Sequence, residues 1–323
     1  MTDVVCAGIL VADTFCGPMR QLPAAGELLT VDRMPSKAGG CAANVAINLV
    51  KQGVHAEIAG LVGDDTDADM LLACLRKGGV DCSRVEKRVG SSTSKTVILL
   101  VEGQDRRYIH TFGANAVFAV KDMDRETAAS ARVFYLGGLF AMPGVDFAEL
   151  ADLLAYCRKC GVKTVVDVVI PRQGKPSLKN LAQVLPHIDY FMSNGDEALT
   201  ITGCETPEKQ IRALRSAGAR DAVIMLGVRG AVATRGKDIL RAGTYPMPVA
   251  DPSGSGDAYC AGIITGLFRE WDLSRSLEYA AALGASAVRA IGTTDGVFTG
   301  KEAENFIAAH PLKIEHLESI GME

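Results

Sequence analysis

The sequence predicts an α/β fold: a mostly parallel sheet covered by helices on both faces, with a small β flap over its rim. Three observations carry that prediction. Apolar strand-like runs alternate with helical patterns, the strands are apolar at nearly every position, and two segments of mixed charged and apolar residues interrupt the alternation. A strand hydrophobic on both sides is buried on both faces, as parallel sheets are.

The elements follow in order. Val4–Val11 reads as the first buried strand, with Asp13 at its end, where ligands gather in parallel sheets. ELLTVDRM, residues 27–34, has rough strand character and no helix after it. Gly39 and Gly40 then open a helix over Ala42–Gln52. Ala56–Leu61 is the next strand and Ala68–Lys77 the next helix. TVILLVEGQDRRYIHTF reads as a hairpin around Gly103-Gln104-Asp105. The two interrupting segments place the flap at about residues 14–37 and 92–113. Further strands are predicted at Val133–Leu136, Lys163–Val168, Tyr190–Ser193 and Ala222–Leu226, and helices at Phe147–Lys159 and Pro207–Ala217. No Pro- or Ser-rich linker, repeat or low-complexity tract divides the 323 residues, which read as a single domain.

Composition narrows the function classes. A hydrophobic content of 48% with 22% charged residues excludes a disordered or fibrous chain. A net charge of -4 supplies no basic surface for nucleic acid. The apolar start, MTDVVCAGILVADTFCG, has no basic n-region and contains two acids, so it reads as a strand and not a signal peptide. No uninterrupted apolar segment approaches the ~18 residues of a membrane span. Nine cysteines, mostly inside apolar patterns, suggest reduced thiols in a cytoplasmic protein. Cys157 and Cys160 form a C-x-x-C, but they end a helical pattern before Gly161, a C-cap residue, and no second Cys or His pair lies near. Their reading is structural.

Four stretches carry chemistry. DPSGSGDAY, Asp251 to Tyr259, follows a strand-like segment and precedes an apolar helix pattern. The amides of Gly254, Ser255 and Gly256 would stand at a helix N-terminus, where free N–H donors and the dipole favour an anion. Asp257, in the first turn, would be close enough to take a proton from an attacking hydroxyl. A Walker loop is absent, and Tyr259 occupies the third glycine position of a dinucleotide fingerprint. A plain capped turn is the alternative. AGGCAANVAINL brings Asn44, a donor and an acceptor, behind the Gly39-Gly40 pair. FMSNGDEALTITG sets Asn194 and Glu197 three apart at a helix start, where they suit either Mg2+ with its waters or a capping box. MLGVRGAVA puts Gly227 and Gly230 after a strand, as a nucleotide contact or a hairpin turn.

In their order and types these stretches resemble the PfkB or ribokinase-like carbohydrate kinases from end to end, with AGGCAANVAINL and DPSGSGDAYCAG at the two family signatures and GAN at Gly113–Asn115 between them. The resemblance implies a three-layer α/β/α domain with a small β lid, often a dimerisation surface. It implies phosphate transfer from MgATP to a hydroxymethyl group. By position, Asp257 would be the base, and Gly254, Ser255 and Gly256 the anion hole. Asn194 and Glu197 would organise Mg2+, Gly227 and Gly230 would line the ATP site, and Asp13, Gly39, Gly40 and Asn44 would hold the sugar. Many members also bind K+ beside the anion hole, and the matching positions are Asp251, Ser253, Ala287, Ala290 and Gly292. Gly296 stands where a Ser ligand is frequent.

Other departures bear on the substrate. Cys41 replaces the Lys that ribokinases and phosphosugar kinases carry after the Gly pair, and YLGGLFAMPG lacks the sugar-contacting Glu of ribokinases. Pro252 and Ser255 stand where Thr and Ala are common, and neither removes a backbone donor. A free hexose, ketose or sugar acid is therefore the expected substrate, with a nucleoside second. A third reading, a binding-only regulator, has the intact Asp257, Gly-Ser-Gly and N-x-x-E elements against it.

Overall fold

The structure, a computed structural model, describes residues 2–317. Two sheets are present among them. The larger contains β1 (Val4–Gly8), β4 (Ala56–Gly63), β5 (Asp81–Arg88), β8 (Val133–Leu139), β9 (Lys163–Val168), β10 (Tyr190–Asn194), β11 (Asp221–Met225), β12 (Ala231–Arg235), β13 (Asp238–Ala242) and β14 (Ile314–Leu317). Its order is β14-β13-β12-β11-β10-β9-β8-β1-β4-β5. Neighbours from β11 to β5 are parallel, and the β11-to-β14 end is antiparallel.

Alternate residues of the central parallel strands feed opposite cores, as the two-residue period of a strand requires. Val4, Cys6, Val165, Met192 and Val223 face one apolar core, closed by α1 (Cys41–Lys51), α2 (Thr66–Lys77), α8 (Ser255–Phe268), α9 (Leu273–Ala287) and α10 (Gly300–Ala309). Val5, Ala7, Val166, Phe191 and Ile224 face the other, closed by α3 (Arg125–Ser130), α4 (Phe147–Lys159), α5 (Leu178–Leu181), α6 (Gly195–Thr202) and α7 (Pro207–Ser216). The predicted three-layer α/β/α arrangement is the observed one. Helix starts follow local chemistry: Asp65 accepts from Ala68 N at 2.9 Å to start α2, and Asp146 from Ala148 N at 2.9 Å to start α4. All nine cysteines are free, Cys157 buried and Cys160 exposed, and Gly161 follows α4 with φ 85°. None of the described helices is long and apolar enough to cross a membrane.

The second sheet has four strands, ordered β3 (Ser36–Gly39), β2 (Val11–Met19), β6 (Lys95–Val101) and β7 (Arg107–Thr111). It corrects two expectations. The first strand does not run to Val11: it stops at Gly8, whose φ is 136° and whose site would put a Cβ 2.1 Å from the Gly137 carbonyl. The chain then crosses into β2, so Asp13 lies within the second sheet, paired with Lys37 of β3. ELLTVDRM forms no strand either. Its Leu28, Leu29 and Met34 are exposed and find no face to bury against, and the strands are its flanks, β2 and β3. Phe15, Ile98 and Leu100 seat the second sheet against Ile291, a residue of the loop after α9.

Candidate active site

The chain bends at Gly254 to start α8. Gly254 has φ 76°, and a Cβ there would lie 2.0 Å from the Thr293 carbonyl oxygen, so only glycine lets the two backbones pass. No side chain caps the helix. Its first amides, at Ser255, Gly256 and Asp257, have no carbonyl one turn back to bond. Gly254, Ser255, Gly256 and Asp257 line a cavity of about 760 Å³ together with Asn194, Glu197, Gly227 and Gly230. Three separate stretches of sequence thus meet in one space.

The cavity also has an apolar lining, from Val228, Tyr245, Met247, Val249 and Val288. Gly227 and Gly230 flank the short turn that presents Val228. Gly230, at φ 81°, would put a Cβ 1.9 Å from the Ala242 carbonyl, so that turn also requires glycine.

The sugar-side residues adjoin this cavity through one bond: Asn44 Nδ2 donates to Asp257 Oδ2 at 2.7 Å. Asp13 is packed so tightly on Gly39 that a Cβ there would sit 1.9 Å from its Oδ2. Burial pushes the Asp13 carboxyl up to about 7; a Thr96 bond opposes this, and the charges of Asp257 and Asp251 add to it. Asp257 is also raised, chiefly by burial, against hydrogen bonds from Asn44 and Cys41. Gly40 is the N-cap residue of α1, with φ 89°. Asn115 of the GAN motif is fully buried and brackets Leu10, donating to its carbonyl at 3.0 Å and accepting from its amide at 3.3 Å.

Of the two readings of Asn194 and Glu197, the capping box is the one their hydrogen bonds display. Asn194 Oδ1 accepts from Asp196 N at 3.0 Å and Glu197 N at 2.9 Å, and Glu197 Oε2 accepts from Asn194 N at 2.9 Å, a complete capping box. The same Glu197 faces the cavity, with its carboxyl pushed up to about 7 by burial.

The sequence reading missed four contributors. Asp167, near the end of β9, lies in the cavity wall, and atoms of Cys41, Asp167 and Asp257 all come within 4.8 Å of one another. Burial, then the charges of Glu197 and Asp257, hold the Asp167 carboxyl well above its usual range. Its only signal was a charged residue inside an apolar strand. Arg106 and Tyr108 reach the cavity from the second sheet, and Arg106 is its one cationic lining residue among those described. Thr293 touches Asn44 from the loop after α9.

The sequence profile of the pfkB family of carbohydrate kinases matches residues 1–299. This chain belongs to that family. It is 25% identical over 273 residues to an ATP-dependent 6-phosphofructokinase of Thermoanaerobacterium thermosaccharolyticum, covering 83% of this chain and 84% of that protein. It is also 25% identical over 313 residues to an adenosine kinase of Schizophyllum commune, covering 88% and 89%. A ribokinase of Arabidopsis thaliana, solved with ribose and ATP, superposes with a TM-score of 0.80 at 22% identity, covering 95% of this chain and 99% of that one. The chain is therefore a kinase on the ribokinase-like fold, and ATP use follows from the family.

In this carbohydrate kinase the proposed K+ positions can be tested against local chemistry. Asp251 is fully buried; its oxygens accept from Ser253 N and Gly292 N, each at 3.0 Å, and no Lys or Arg pairs with it among the described residues. The Ser253 hydroxyl is buried without a partner. An unpaired buried carboxylate beside an orphaned hydroxyl fits a cation. Gly296 cannot carry the serine ligand, because a Cβ there would lie 2.6 Å from Ala287 O. The cation set is one side chain short.

Proposed function

We propose that this kinase transfers the γ-phosphoryl group of MgATP to a primary hydroxyl of a free sugar or sugar acid. One observation carries the reading. Asp257, held by Asn44, stands in the first turn of an uncapped helix whose free amides face the same cavity.

In this mechanism the acceptor hydroxyl loses its proton to Asp257 as its oxygen bonds to the γ-phosphorus, and the bond to the bridging oxygen of ADP breaks. A carboxyl raised by burial is a stronger base than a free aspartate, yet Asn44 keeps its charged form accessible. The amides of Gly254, Ser255 and Gly256 would donate to the oxygens on which charge gathers. Asp167 and Glu197 would hold Mg2+ through oxygen or water, with Asn194 beside them, and the bound ion would neutralise the phosphates. Asp251, Ser253 and the carbonyls of Ala287, Ala290 and Gly292 would hold K+, steadying the loop behind the anion hole. The apolar wall of Val228, Met247 and Val249 suits the adenine ring.

Asp13, Gly39, Gly40 and Asn44 would take the acceptor's hydroxyls. Arg106 favours the sugar acid within the proposed substrate set, since a carboxylate matches its bidentate fork. Cys41, where a phosphosugar kinase would carry Lys, argues against a sugar phosphate. The second sheet would close over the acceptor as a lid. Leu22, Leu28, Leu29 and Met34, exposed on the connection between β2 and β3, and Ile109, exposed on β7, would be covered in a homodimer. Nine free thiols suit the cytoplasm.

The test is ADP release from purified protein with MgATP against free sugars, sugar acids, sugar phosphates and nucleosides. Turnover with a sugar or sugar acid is expected, falling roughly 10²- to 10⁴-fold in Asp257→Asn. Preference for a nucleoside would replace the acceptor assignment, and full activity in Asp257→Asn would remove the base.

A further inference from the structure

Thr293 lies in none of the sequence motifs, yet three parts of the site converge on it. It is buried, at 5% exposure. Its hydroxyl donates to Asn44 Oδ1 at 2.7 Å and lies 3.1 Å from the Ala38 carbonyl of β3. Its own carbonyl marks the position that a Cβ on Gly254 would invade. The neighbouring Gly292 amide donates to buried Asp251.

A carboxamide has an acceptor end and a donor end, and its direction is set by its partners. The Asn44 side chain has two partners among the described residues, Thr293 on the oxygen and Asp257 on the nitrogen. With Oδ1 engaged by Thr293, the NH2 group is turned to Asp257. Remove the hydroxyl and the amide loses one of its two anchors, leaving it to pivot about its bond to Asp257. Asp257, an acceptor, still selects the NH2 end, but the other end of the amide is then held by nothing, and the direction of the Asn44–Asp257 bond is no longer fixed.

We propose that Thr293 is a positioning residue for phosphoryl transfer: through Asn44 it fixes the orientation in which Asp257 receives the acceptor's proton. The inference rests on the kinase reading above. It also links β3 of the second sheet to the base, because the same hydroxyl sits against the Ala38 carbonyl.

The experiment is a kinetic double-mutant cycle on the full-length protein, using the acceptor found in the panel above. Thr293→Val keeps the side-chain shape and removes the hydroxyl. Its kcat should fall roughly tenfold, within the range that misplacing a reacting group produces, with KM for ATP unchanged. Thr293→Ser should restore most of the rate. In an Asn44→Ala background, Thr293→Val should change kcat less than twofold, because the partner it acts through is gone. Equal loss in both backgrounds, or wild-type kcat in Thr293→Val, would overturn the inference. If Thr293→Val unfolds, Thr293→Ala carries the same cycle. Asp257→Asn in the same assay separates the two levels. A dead Asp257→Asn beside an unaffected Thr293→Val removes only the role of Thr293, whereas full activity in Asp257→Asn removes the base and the positioning role with it.

Discussion

Two helices begin in the same cavity and are finished in opposite ways. At α6, Asn194 and Glu197 satisfy the helix's own end, bonding Asp196 N, Glu197 N and Asn194 N. At α8, Gly254 offers no side chain, so the first amides stay free. The first helix is closed and presents a carboxylate; the second is open and presents donors. An anion suits the open end; at the closed end only the Glu197 carboxylate, and not the helix dipole, would attract a cation. In the proposed mechanism the transferred phosphoryl group and its Mg2+ would take these two complementary places across a single cavity, built from the same structural part with and without a cap.

The largest expected effect comes from closing the open end. Gly254→Ala puts a Cβ 2.0 Å from the Thr293 carbonyl at a φ of 76°, so both loops must shift. Displacing the donors should lower kcat by about 10²-fold or more, the scale of losing an anion-hole donor. Stability should fall by roughly 1–3 kcal/mol, the scale of a strained backbone site. Steady-state rates beside a denaturant melt measure both, and an active, stable Gly254→Ala would break the comparison at its open side.

At the closed end, Glu197→Gln separates charge from capping, because glutamine still fills the N3 position of the box. The half-saturating Mg2+ concentration should rise about tenfold, with the fold intact. The pH dependence has a definite sign. Burial raises the Glu197 carboxyl to about 7, so the carboxylate that attracts Mg2+ forms as pH rises through that value. Wild-type Mg2+ demand should fall from pH 6 to 8, and the Glu197→Gln profile should be flatter. Without metal the linkage runs the other way. A raised folded pKa favours the protonated form, so this contribution to stability is present at low pH and lost as pH rises through about 7.

The contrast between the two helix starts also separates what the sequence could reveal from what it could not. The glycine loop, the capping box and the turn at Gly227 and Gly230 are contiguous in the chain, and their backbone demands are written in residue type. α4 was legible to the residue because its apolar spacing agrees with its terminal glycine. Asp167 was not, since a single acid in TVVDVV looks like part of a strand until the starts of α6 and α8 bring Glu197 and Asp257 to it. Arg106 and Thr293 act across large sequence separations and carry no local pattern. The strand break at Gly8 depends on the Gly137 carbonyl, which only the folded sheet puts there. ELLTVDRM failed for the converse reason: its residues permit a strand, but no partner face exists for it.

The smallest effect tests whether Asn194 belongs to the cap alone. Its Oδ1 already accepts two amides, which leaves its NH2 group as the free end facing the cavity, and an NH2 group cannot bind a cation. Asn194→Ala leaves those two amides unbonded and should cost about 1 kcal/mol, read as a lower denaturant midpoint. Asn194→Ser, another N-cap residue, should recover most of that loss. Neither variant should change the Mg2+ requirement by more than about twofold if the metal seat belongs to Asp167 and Glu197. Should Asn194→Ser restore the midpoint while Mg2+ demand stays high, Asn194 orders the metal's water as well as the helix, and the closed end is less closed than its hydrogen bonds suggest.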